Sequence, residues 1–343
     1  MPEIANDRIL IGDHARRLFD AGQALARARQ AAARWPGTDR AVLNEFTAMG
    51  WPSLLLAEDD GGMGGGITDF VALIESLGDL VLPEPVGPIL ATVPLLAACR
   101  SRAASDLLKA ALGGEITVLA AVETERPVQV DATHLVFDAH WADVLVFALD
   151  DPDGFSLRAV AVTELGDRYS LVRSVDGGSL GFARLDASVG DELAAGAAAR
   201  EAFMRCRHLQ WLAAAASLLG LARKSLADAI DYVKLRRQFG VAVGSFQALQ
   251  HRAATLHVAC QSARALLYEA ARTVGTANEE LACAAAKVKA AETAMAVVKE
   301  SVQFHGAIGF SDEADIALYF RRAVTLTAAY GAGETCYRSC FSL

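Results

Sequence analysis

Apolar positions recur at helical spacing through the first third of the chain. Arg8 to Ala33 reads as one or two amphipathic helices, stopped by Trp35-Pro36-Gly37, and Asp39 to Met49 predicts the next, closed at Gly50. Leu54-Leu55-Leu56 then runs into the glycine cluster Gly61-Gly62-Met63-Gly64-Gly65-Gly66, a turn. Thr68 is placed to cap a helix to about Leu77, and Pro83, Pro85 and Pro88 lead into a helix ending near Gly113. From Ile116 to about Val189 the period shortens. Apolar runs at Thr117 to Val122, His134 to Phe137, Val144 to Leu149, Ala159 to Val162 and Tyr169 to Val172 predict strands. Four long Ala/Leu-rich helical segments follow: Arg200 to Arg236, Ser245 to Val274, Glu279 to Phe304, and Asp312 to about Cys340. Short turns between them predict an antiparallel four-helix bundle. The expected fold is mostly α with a small central β domain, divided as an N-terminal helical domain (1–114), a β domain (115–192) and the bundle (193–343). Helices this rich in alanine bury more than one face, which implies packing against other subunits.

Composition narrows the function. The 343 residues carry 32 Lys+Arg against 41 Asp+Glu, a net charge of −9, which argues against a nucleic-acid or anionic-lipid surface. The most apolar stretch, Trp211 to Ala222, stops at Arg223 and is short of the ~20 residues that span a bilayer. Glu3, Asp7, Arg8 and Asp13 break up the N-terminus, unlike a signal peptide, so the expected location is cytoplasmic. The six cysteines show no Cys-x-x-Cys spacing. Cys336 and Cys340 share a helix face without a further ligand, so no metal site is expected.

Several segments could carry chemistry. Gly177-Gly178-Ser179-Leu180-Gly181 matches the Gly-x-Ser-x-Gly nucleophile pattern, but no helix signal follows it. The cluster Gly61 to Gly66 lacks the Gly-x-Gly-x-x-Gly register of a dinucleotide fingerprint. More informative is Leu235 to His251. Arg236 and Arg237 end one helix, Gly240 and Gly244 turn the chain, and Ser245 is placed to cap the next helix. Guanidinium forks and free N–H groups suit a phosphate, Phe239 offers an aromatic face and Gln247 an amide. A solvated helix hairpin would show the same residues. Gln303-Phe304-His305-Gly306-Ala307-Ile308-Gly309-Phe310 is a glycine-interrupted gap that lets a backbone approach a ligand or simply turn. Glu313 and Arg322 read as an ion pair beside that gap. His251 and His257 read as surface or core-edge residues, while His14, His134, His140 and His208 lack partner spacing.

Arg236-Arg237-Gln238-Phe239-Gly240 through Phe246-Gln247, Gln303 to Phe310 with Glu313 and Arg322, and Met49-Gly50-Trp51 to Gly66 together resemble the acyl-CoA dehydrogenase family. The domain order matches as well. The resemblance implies FAD held across a subunit interface. Arg236, Gln238, Phe239 and Gln247 would come from one subunit, with Gln303, His305 and Gly306 reaching a flavin seated on another. It implies α-proton removal from an acyl-CoA by a carboxylate, β-hydride transfer to the flavin, and an electron-transfer flavoprotein-like acceptor. The chain departs from the family at the base. One usual position falls on Gln210, with Trp211 in place of the following Arg, and the commoner one falls on Gly331. Glu334 is the nearest carboxylate. The family's flavin-contacting Thr-Glu-Pro signature survives only as Val122-Glu123-Thr124-Glu125-Arg126-Pro127, and the strand pair that faces the flavin is shortened to about Thr133 to Asp143. The expectation is a subunit that completes a flavin site with a related chain supplying the catalytic Glu. The alternatives are a self-sufficient homo-oligomer using Glu334 or another carboxylate, and a flavin-free helical scaffold.

Overall fold

The computed structural model describes residues 16–19, 23–122, 133–151, 154–331 and 336. After the helical residues 16–19 come α1 (Ala24–Arg34), α2 (Ala41–Ala48), α3 (Ile67–Leu77), α4 (Val86–Ala98) and α5 (Arg102–Leu112). Their ends correct the sequence reading. Helix α3 is opened by the Gly66 N–H donating to the Asp69 carboxylate at 2.9 Å, not by Thr68. The stretch expected to run to Gly113 is two helices, because Ser101 starts α5 by accepting the Ala104 N–H on its Oγ.

Strands β1 to β7 form two sheets. One has the order β1 (Val118–Ala120), β3 (Val144–Asp151), β4 (Gly154–Ala161), β7 (Asp191–Ala195), with β1 and β3 parallel. The other is β2 (Thr133–Phe137), β6 (Ser179–Arg184), β5 (Tyr169–Arg173), all antiparallel. Strand β3 explains its continuous apolar run. Leu145, Phe147 and Leu149 point into the layer between the sheets, while Val144, Val146 and Ala148 face the helices. Strands β6 and β7 were missed from the sequence, the first because glycines interrupt it and the second because it begins Asp-Glu at a sheet edge.

His134 sits 1% exposed on β2, its ring edge-on to Phe147 with centroids 5.8 Å apart. Burial lowers its pKa from 6.5 to about 4. The unfolded chain therefore takes up a proton near pH 6.5 that the folded chain refuses until about 4. The stability that neutral His134 contributes is complete above pH 6.5 and is lost as pH falls toward 4. Urea midpoints measured across that window should fall more steeply with acid in the native protein than in His134→Leu.

Helix α6 (Ala197–Leu235) is the axis of the remainder, at 39 residues or ~58 Å. Trp211 to Ala216 and Leu218 to Ala222 are buried on it, enclosed by α3, α4, α7 (Gln247–Thr273), α8 (Glu279–His305) and α9 (Asp315–Ala328). The last helix is shorter than expected. It stops at Ala328, and the chain turns through Tyr330 and Gly331, both at positive φ, where Asp312 to Cys340 was read as one segment. Among the described residues no helix is long and apolar enough to cross a membrane.

Candidate functional site

The Leu235 to His251 segment folds as a corner with a hairpin at its tip. After α6 ends, β8 (Arg237–Gln238) pairs antiparallel with β9 (Val241–Ala242) around Phe239-Gly240, at φ +53° and +82°. Two central residues with positive φ make a tight turn whose twist matches the flanking strands. Ser245 does not cap the next helix. Its Oγ donates to the Ala242 carbonyl at 2.7 Å within a short 3-10 turn, and α7 starts at Gln247. Gly244 has backbone reasons of its own, since a Cβ there would stand 3.1 Å from the Val233 carbonyl oxygen.

The glycine gap lies at the same end of the bundle. Helix α8 runs to His305, and Gly306–Phe310 form a 3-10 turn that opens at Gly306 with φ 65° and ψ −142°, a conformation essentially reserved for glycine. The His305 ring stacks on Tyr232 of α6 with centroids 4.6 Å apart. Its Nδ1 lies 2.7 Å from the Ser301 carbonyl, which makes Nδ1 the donor. Val233, Phe304, Val243 and Leu249 pack together beneath, joining corner and gap. The two separated motifs are thus one surface.

That surface is open. Arg236, Arg237, Gln238, Gln247 and Gln303 are exposed, and among the described residues none of these side chains has a hydrogen-bond or ion-pair partner. Phe239 is 91% exposed and Phe310 79%, large apolar rings of the kind that mark a contact with another molecule. Free guanidinium forks, free amides and aromatic faces match a dinucleotide diphosphate and its ring system.

The two positions read from the sequence as the family's base positions, Gln210 and Gly331, are linked elsewhere through their neighbours Trp211 and Tyr330. Gln210 and Trp211 are fully buried in the middle of α6. The Gln210 amide donates to the Ala120 carbonyl of β1 at 3.3 Å, and its Oε1 has no partner among the described residues. The Trp211 indole N–H donates to the Tyr330 carbonyl, directly before Gly331. The Lys287 ammonium, 2% exposed, donates to the carbonyls of Leu326 and Thr327 and fixes the same turn from α8. Neither Gln210 nor Gly331 can accept an α-proton. Glu334 and the Glu123 to Pro127 remnant lie outside the described residues, as does Cys340.

Other expectations are corrected by partners distant in sequence. Arg322 pairs not with Glu313 but with Asp176 at 2.8 Å and Asp138 at 3.5 Å. His208 has a partner, with Nδ1 2.9 Å from Glu279. His140 also has one, its Nδ1 lying 2.6 Å from Ser179 Oγ. Ser179 is 1% exposed within β6, so it is a strand residue and not a nucleophile elbow. His251 and His257 are exposed on α7 as expected. Among the described residues no cluster of three His, Cys, Asp or Glu could hold a metal.

Residues 197–339 match the family described as acyl-CoA dehydrogenase, C-terminal domain. Acyl-CoA dehydrogenase IpdE2 of Mycolicibacterium smegmatis is 30% identical over 280 residues, covering 80% of this chain and 78% of that protein. The IpdE2 of Mycobacterium tuberculosis is 30% identical over 309 residues, covering 88% and 86%. The chain belongs to the acyl-CoA dehydrogenase family. Its fold is that of solved acyl-CoA dehydrogenases: the ChsE4-ChsE5 complex from Mycobacterium tuberculosis superimposes with a TM-score of 0.85, covering 98% of this chain and 96% of that one at 23% identity. FAD is the family's cofactor, and the exposed guanidinium and amide groups of this family member's corner have the chemistry that would hold its diphosphate. Beside Asp138 and Arg322, between the β domain and the bundle, two cavities measure about 50 and 30 Å³.

Proposed function

We propose that this chain is a subunit of an acyl-CoA dehydrogenase that desaturates an acyl-CoA thioester between its α and β carbons, and that it completes a FAD site seated on a related chain. That chain carries the catalytic Glu. The observation behind this reading is the contrast within one molecule. The corner built by Arg236, Gln238, Phe239 and Gln247 with Gln303, His305 and Gly306 is intact and open, while the base positions hold Gln210 and Gly331. When bound, FAD supplies the acceptor for the β-hydride, with an electron-transfer flavoprotein-like protein as its reoxidant.

This chain's work in that scheme is binding and orientation. The Arg236 fork neutralises diphosphate charge, Gln247 and Gln303 offer amide hydrogen bonds, and Phe239 covers an aromatic face. The hairpin presents them already ordered, so little conformational entropy is lost when the partner docks. Coexpressed with a related chain and purified, the Arg236→Ala protein is expected to retain FAD more weakly by about 1.5–3 kcal/mol, or ~10- to 150-fold in dissociation constant. Spectroscopic FAD titration reads this directly, and an unchanged affinity rejects the reading.

A further inference from the structure

The two motifs of the corner are far apart in the chain, and a pair of rings joins them. Tyr232 stands one helical turn before Arg236, and its carbonyl accepts the Arg236 N–H at 2.9 Å where α6 ends. The Arg236 carbonyl in turn accepts the Val243 N–H at 2.8 Å, which closes the base of the hairpin. His305 is the last residue of α8 and directly precedes Gly306. Its ring is engaged twice. One face lies on Tyr232 with the planes 24° from parallel, and Nδ1 donates to the Ser301 carbonyl. Helix α7 reaches the same turn of α8 with Arg252, which pairs with Glu300 and stands over the Phe304 ring, 5.5 Å from its centroid. Beneath the stack, Val233 and Phe304 are buried together.

We infer that Tyr232 and His305 are positioning residues: their stacked rings hold the backbone of the glycine gap in register with Arg236, and the imidazole itself does not touch the cofactor. The inference rests on the reading of the corner as a FAD site, and it gives His305 a different task from the cofactor contact that the family resemblance implied. An imidazole stacked on one face and hydrogen-bonded through Nδ1 is fixed in orientation. Fixed directly before Gly306, whose backbone only glycine adopts readily, it sets the course of the chain through the gap. Gln303 and Arg236 then meet a diphosphate with their spacing already set. Without the stack the last turn of α8 is free to fray, and ordering it when FAD binds costs affinity.

The test is FAD titration of the purified two-chain complex, carried through variants of this chain. His305→Ala and Tyr232→Leu are each expected to weaken FAD binding by about 5- to 10-fold, the worth of an aromatic pair. His305→Phe and Tyr232→Phe keep both rings and should stay within about 2-fold of native. Tyr232→Leu combined with His305→Ala should lose no more than the larger single loss, because the two rings act as one. Both residues are part-exposed at helix ends, so the fold survives their loss, and the thermal midpoint of each complex checks this. If His305→Phe loses as much as His305→Ala, an imidazole nitrogen holds the cofactor. If the two losses add, the rings act separately. Either result overturns the inference and leaves the corner standing, as does an unchanged affinity in Tyr232→Leu beside a weakened one in Arg236→Ala. No loss in any variant, Arg236→Ala included, overturns the corner and this inference with it.

Discussion

Arg322→Ala is expected to lower the unfolding free energy by about 3–5 kcal/mol, because it leaves two buried carboxylates without their cation. The two acids respond differently to burial. Burial raises the Asp138 carboxyl above its ordinary pKa, and the charge of Arg322 only partly opposes this. Burial also pushes Asp176 up, but the nearer fork of Arg322 with the Ser174 and Gly178 hydrogen bonds brings it below the ordinary carboxylate range. Asp176 therefore stabilises the fold at neutral pH and loses that contribution as pH falls through its folded pKa, whereas Asp138 works in the opposite sense. Urea unfolding checks the magnitude. Arg322→Met combined with Asp138→Asn and Asp176→Asn should recover most of the loss, since it removes the charges together. If Arg322→Ala alone costs under about 1 kcal/mol, the cluster is no more than a surface pair in its energetics.

The second large effect is expected at Gly220. A Cβ there would stand 2.2 Å from the Glu75 carbonyl oxygen and 3.0 Å from the Gly78 Cα, while one on Gly78 would stand 2.5 Å from the Ser217 carbonyl oxygen. Helix α6 and the end of α3 thus cross backbone against backbone. Gly220→Ala raises helix propensity by about 1 kcal/mol, but it forces two main chains apart at a cost of about 3 kcal/mol. A net loss of about 2 kcal/mol should appear as a lower thermal midpoint. A neutral or stabilising substitution would show that α6 can shift off α3. Glu75 sharpens the consequence. Its buried carboxylate takes Arg223 at 2.7 Å, Arg264 at 2.7 Å and the Tyr268 hydroxyl at 2.8 Å, and that geometry moves with the α3 backbone.

What the sequence made legible follows the range of the interactions involved. The long helices and β3 showed through periodicity and apolar runs, because each buries a face that its own spacing defines. The corner and the glycine gap showed because their residue types are demanded locally, by positive φ at Phe239 and Gly240 and by the backbone of Gly306. The caps at Thr68 and Ser245 were misplaced by a residue or two, because Asp69 takes the Gly66 N–H at one and the Ser245 hydroxyl turns back to the Ala242 carbonyl at the other. The Arg322 cluster was not legible at all. Its carboxylates arrive from two turns of the β domain, far along the chain, and nothing near Arg322 announces them. The same holds for Tyr232 against His305, the stack that joins the two motifs.

Helix α6 carries Gln210 and Trp211 near its middle and delivers Arg236 at its end, about 37 Å further along the axis. Substitutions that far apart, with no shared partners, act independently on stability and binding. On the proposed reading, changes at the middle of the rod therefore leave undisturbed what its tip offers a neighbour, and a helix this long keeps the two duties mechanically apart.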